Sequence, residues 1–190
     1  QLDMKKPALL IGFCIVLSAF FGCKDTKNAQ GSSNGSDSLG GKGTFADSTV
    51  YGVCGEETAM HTLQLITDQG DTLSFLINAD NEERVQGGLL AGDRMAVIAG
   101  KTIDGERTAK EVINLTTLIG KWTSLDKNFE IQEGGNVKSY VEAENNPWTA
   151  WKICNGKLLL NKDTFTINKL GADSLYLENE KGIFSFKRQK

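Results

Sequence analysis

From Phe45 onward, apolar and polar residues alternate in short runs, and that alternation limits the fold to one built of strands. Successive side chains of a strand point to opposite faces, so a period of two marks a sheet with one face buried. Ala59, His61, Leu63 and Leu65 alternate with Thr62 and Gln64, which predicts a long strand over Thr58–Thr67. Leu73, Phe75 and Ile77 repeat the pattern; Met95 and Val97 follow Gly92-Asp93, and Val112, Asn114 and Thr116 continue it. The runs break at Asp68–Asp71, at Gly87-Gly88 and at Asp104-Gly105, the last a strong hairpin signal. Helical periodicity is not sustained anywhere, although Asp80–Gln86 could form a single turn, and Pro147 falls in a loop. The fold class read from these features is all-β.

The N-terminal stretch has a different character. Lys5 and Lys6 precede an apolar segment, Ala8–Phe21, of 14 residues. A bilayer span needs about 20 residues, so this length fits a secretory signal rather than a membrane helix. Gly22-Cys23 at its end resembles a bacterial lipobox, with Phe20 and Phe21 standing where the usual box has Leu and a small residue. The resemblance implies a signal peptide over 1–22 that starts at Met4, removed before Cys23, which is then lipidated. Lys24–Gly43 holds five Gly and four Ser, with Ala29 and Leu39 as its only apolar residues. Such a segment buries too little surface to offset the entropy of ordering, so 23–43 reads as a lipidated cysteine and a flexible tether. In the Gly/Ser regime its r.m.s. reach is roughly 25 Å.

The formal net charge of −3, without a cluster of Lys or Arg, argues against nucleic acid as a partner. It argues equally against electrostatic adhesion to an anionic membrane. The expected membrane contact is the Cys23 lipid, each buried methylene contributing about 0.8 kcal/mol, and the expected location is the bacterial cell envelope, at the outer membrane. Cys14 leaves with the signal, so Cys54 and Cys154 remain. An exported chain can pair them, but the two lie in different halves without a tight spacing, and two separate small buried thiols is the simpler reading.

A boundary near Leu118 divides the body. Residues 44–117 carry five or six strands and a Gly87–Asp93 stretch, a layout that looks like a small OB-type barrel. In 118–190, Gly120-Lys121-Trp122 opens a series of eight short strands that closes with Phe184, Phe186 and Arg188. Gly-x-Trp on the first strand, eight up-and-down strands and a terminal Arg resemble the lipocalin-like lipoproteins of Bacteroidetes-type bacteria. The resemblance implies a small antiparallel β-barrel closed at one end by Trp122 with Arg188 stacked on it, a contact of about 0.5–2 kcal/mol. It covers about 70 residues, half the length of a full lipocalin. Strands of five residues span roughly 17 Å, so side chains are expected to fill the interior.

Candidate sites are few. His61, the single histidine, is in phase with Leu63 and Leu65, which predicts a packed neutral imidazole; a hydrolase or isomerase built on it would need an acidic partner brought in by the fold. Asp80-Asn81-Glu82-Glu83 lacks the glycine and distal Glu of an EF-hand loop and reads as a solvated turn. Trp151 shares a face with Ile153 and reads as core, leaving Trp148, beside Asn145-Asn146-Pro147, as the candidate ligand contact. No catalytic residue, metal site or cofactor is expected. The expected function is that of a non-enzymatic, lipid-anchored binding or interaction module for a small apolar ligand or an envelope protein. Glycan binding is the alternative.

Overall fold

The computed structural model describes residues 46–77 and 85–190. The signal, Cys23, the tether and the Asp80–Glu83 turn lie outside them. The described residues belong to one compact unit. Its regular secondary structure is almost entirely strand, as the alternation predicts.

The first sheet contains β1 (Thr49–Cys54), β2 (Thr62–Thr67), β3 (Thr72–Leu76), β4 (Val85–Gln86), β5 (Arg94–Ile103) and β6 (Glu106–Asn114), in the order β3-β2-β1-β5-β6-β4. It curls far enough for β3 to meet β6 through one parallel pair, Leu76 with Thr108. The β5–β6 hairpin turns at Asp104-Gly105, both with positive φ (50° and 84°), the geometry that an Asp-Gly pair favours. The strand predicted over Thr58–Thr67 is shorter than expected. Thr58–His61 form a turn in which Ala59 and Thr62 exchange backbone hydrogen bonds, and β2 starts only at Thr62.

A one-turn helix, α1 (Leu115–Leu118), leads out of the first sheet; the Asn114 side chain caps it by accepting from the Thr117 N–H. The second sheet follows with β7 (Gly120–Thr123), β8 (Asn128–Ile131), β9 (Val137–Ser139), β10 (Trp151–Cys154), β11 (Lys157–Leu160), β12 (Asp163–Leu170), β13 (Ser174–Asn179) and β14 (Gly182–Arg188). Every neighbouring pair is antiparallel, and β14 lies beside β7, so the strands run up and down in chain order. The edge strands β9 and β10 nearly meet: Asn136 bridges Ala150, and the Val137 N–H donates to the Thr149 carbonyl at 2.9 Å. The sheet is therefore barrel-like and almost closed.

Its interior is packed with side chains. Phe129 and Ile131, Leu158 and Leu160, Phe165 and Ile167, and Leu175 and Leu177 all point inward and alternate with less buried neighbours. A bulge between Ile167 and Lys169 then resets the phase, so Leu170 rather than Lys169 turns inward.

The two sheets share a core. Ala96, Ile113, Leu115 and Leu118 cluster with Trp122, Phe129 and the other interior residues of the second sheet. On the other face of β5 and β6, Met95, Val97 and Val112 join Leu63, Leu65 and Phe75 inside the first sheet. Polar contacts cross the same seam. The Tyr51 hydroxyl donates to the Ile153 carbonyl at 2.8 Å, and the Leu170 N–H donates to Gln86 Oε1 at 2.9 Å. Asn155, in the β10–β11 turn, binds the segment that leads into β1: the Ser48 N–H and hydroxyl both donate to its Oδ1 at 2.9 Å.

Candidate functional site

The barrel-like sheet has two unlike ends. One is gathered around Trp122, which is fully buried and donates its indole N–H to the Leu118 carbonyl at 2.9 Å. Arg188 lies over it with its guanidinium carbon 4.2 Å from the ring centroid. The same guanidinium donates to the carbonyls of Ala172 (2.5 Å), Ile119 (2.9 Å) and Thr117. It therefore ties α1 and the start of β7 to the β12–β13 turn. Gly120 makes this fit possible. Its φ is 138°, and a Cβ there would run into Arg188 Nη1. Burial lowers the Arg188 pKa and Asp173 opposes the shift, but an arginine stays charged across the physiological range.

The other end is open. A cleft of about 670 Å³ lies among the β7–β8, β11–β12 and β13–β14 turns and the loop before β10. Its apolar lining is Phe165, Phe184, Phe186 and Trp148; its rim carries Lys127, Lys162 and Lys181 with Asp126, Asp163 and the amides of Asn146 and Asn179. Phe184 is the most accessible of these rings and meets Phe165 edge-on, with centroids 5.9 Å apart. Lys127 pairs with Glu144, whose other oxygen accepts from the Ser139 hydroxyl at 2.6 Å. Burial draws the Lys127 pKa below its ordinary value, opposed by the Asp163 carboxylate.

Trp148 lines the open cleft but is more deeply covered than its loop position suggests, and Trp151 packs against the core while only partly buried. Trp148 is only 8% exposed: it packs edge-on against Phe129 (5.1 Å) and Phe165 (5.7 Å), with Lys127 Nζ 4.5 Å from its ring centroid. Its indole N–H donates to Asp163 Oδ2 at 3.2 Å, so it forms the floor of the cleft instead of a free stacking platform. Trp151, read from the sequence as core, is only partly buried and stands at the edge of the seam. The sequence signal that separates them is thin, because a loop residue can fold back into a core without any periodicity to announce it.

His61 also departs from expectation. It is exposed in the turn before β2, and not packed in phase with Leu63 and Leu65; its carbonyl accepts from the Ile77 N–H at 2.8 Å. The alternation fails at His61 because the Thr58–His61 turn holds it outside β2, which begins one residue too late to place the ring inward. Cys54 is buried and Cys154 partly buried, both as free thiols in separate strands. Among the described residues, no group of three or more His, Cys, Asp or Glu is placed to hold a metal ion, and no helix is long and apolar enough to cross a membrane.

No family model matches the chain, and no curated protein or solved structure is significantly similar to it.

Proposed function

We propose that this chain is a lipid-anchored binding module of the bacterial cell envelope, held at the membrane through Cys23. In this reading the open end of the barrel-like sheet takes a small ligand with an apolar body and an acidic head. The observation that carries it is the cleft at that end, where the Phe184 and Phe165 rings lie below a rim of mixed charge: Lys127 is paired with Glu144, and Lys162 and Lys181, beside Asp126 and Asp163, are the cations left to meet an acidic head. The fold reading behind it has support of its own. The strand order of the first sheet, with its parallel β3–β6 contact, suits an OB-like barrel. Eight up-and-down strands with Arg188 over Trp122 suit a lipocalin-like one. Glycan binding by stacking on Trp148 finds less support, because that ring is covered and its N–H is engaged by Asp163. A reaction at His61 has only an exposed turn to work with.

Two measurements test the proposal. The Cys23→Ala variant should leave the membrane fraction, and a variant that stays bound there would refute lipid anchoring. Laurate, titrated into the full chain labelled with ¹⁵N, should shift the Trp148 indole resonance, and Phe184→Asp should abolish the shift. A Trp148 signal indifferent to laurate up to its solubility limit would rule out the cleft as a site for such amphiphiles.

A further inference from the structure

The seam between the two sheets holds a second concavity, distinct from the open end. It is a groove of about 520 Å³, with Tyr51 and Arg94 on the side of the first sheet, Trp151, Lys152 and Glu133 on the other, and Leu115 at its base. Both rings are pinned at their polar ends. The Tyr51 hydroxyl donates to the Ile153 carbonyl at 2.8 Å, and the Trp151 indole N–H donates to the Gln132 carbonyl at 2.7 Å. What the groove presents is therefore ring carbon over an apolar base, with the usual hydroxyl-reading donors already engaged. That disfavours a sugar and favours a flat apolar body.

The charges at the rim point to the rest of the ligand. Arg94 is oriented by a two-pronged pair with Asp68 (2.5 and 3.0 Å), which leaves its remaining N–H groups free of that contact and its charge permanent. Lys152, next to Trp151 on β10, is exposed. Glu133 is the one carboxylate among the lining residues and Asp68 already offsets Arg94, so Lys152, in no ion pair among the described residues, is the cation left to meet an acidic group. We infer that this groove binds a small planar aromatic anion, its ring system between Tyr51 and Trp151 and its acidic group toward Lys152. A ligand placed there touches both sheets and so favours their packed arrangement.

The three tryptophans make the test direct, because each indole N–H reports a different place: Trp122 the closed end, Trp148 the open cleft, Trp151 the seam. 1-Naphthalenesulfonate titrated into the ¹⁵N-labelled full chain should move the Trp151 resonance and leave those of Trp122 and Trp148 in place. Lys152→Glu, an exposed change that keeps the fold, should weaken binding about tenfold, whereas Lys152→Arg should retain it. Neutral 1-naphthalenemethanol should bind more weakly than the sulfonate. The inference is overturned if Trp151 does not respond, if Trp148 responds in its place, or if Lys152→Glu binds the sulfonate as tightly as the wild type. Because laurate is read at Trp148, failure of one site leaves the other standing.

Discussion

Arg188 reaches three backbone carbonyls and one aromatic face, so its removal should cost more than a stacking contact alone. Arg188→Ala should destabilise the fold by about 1.5–3 kcal/mol, the range for hydrogen bonds to a charged group. Trp122→Ala, which empties a fully buried site, should cost about 3–5 kcal/mol. Because the two side chains touch, the double variant should lose less than the sum in urea unfolding. Strict additivity would make the contact energetically silent. Gly120→Ala should cost about 1–3 kcal/mol, combining a backbone angle that only glycine adopts easily with displacement of Arg188. Trp122 and Arg188 stand out in the sequence because one opens the run of eight strands and the other ends it. The neighbouring Trp148 does not, since its burial depends on a loop folding back over Phe129 and Phe165.

Among the elements, the β10–β11 turn carries the most consequence for its length. Asn155 and Gly156 both have positive φ (48° and 77°), which suits an Asn-Gly turn. Beyond turning the chain, Asn155 accepts from Ser48, and its own N–H donates to Asp47 Oδ1 and Thr49 Oγ1, both at 3.1 Å. Asn155→Ala should therefore lose about 1–2 kcal/mol and loosen the segment before β1, visible as faster amide exchange at Ser48. Gly156 sits against the Glu111 carboxylate of β6, where a Cβ would collide. Burial raises the Glu111 pKa above 4.5, while Lys157 and Lys110 pull it back. A carboxylate whose folded pKa is raised costs stability when ionised, and the loss develops as pH rises from the unfolded value through the folded one. Glu111→Gln should accordingly raise Tm at pH 7. Calorimetry should show the gain shrinking toward zero as pH falls to about 4.5. A gain equal at both pH values would mean that ionisation of Glu111 is not its source.

For the whole molecule, the shared core means that the two sheets should unfold together. All three tryptophans lie between residues 122 and 151, on or packed into the barrel-like sheet, so fluorescence follows that sheet while far-ultraviolet circular dichroism follows both. The two signals should give coincident urea transitions, and an earlier step seen only by circular dichroism would show the first sheet melting alone. The sequence carries one sign of this packing. Met95-Ala96-Val97-Ile98 is an unbroken apolar run, the mark of a strand covered on both faces, and the structure buries all four. What the sequence by itself determined is the all-β class, the Asp104-Gly105 hairpin, and the series of eight short strands that follows Leu118. These are local properties, set by turn chemistry and by which side of a strand is apolar. Only the tertiary structure decided that β3 meets β6, that His61 turns outward, that Leu170 replaces Lys169 on the inner face, and that Trp148 is buried while Trp151 borders a groove. Each of those depends on register and on packing between residues far apart in the chain, and a periodic pattern specifies an apolar face without specifying what will cover it.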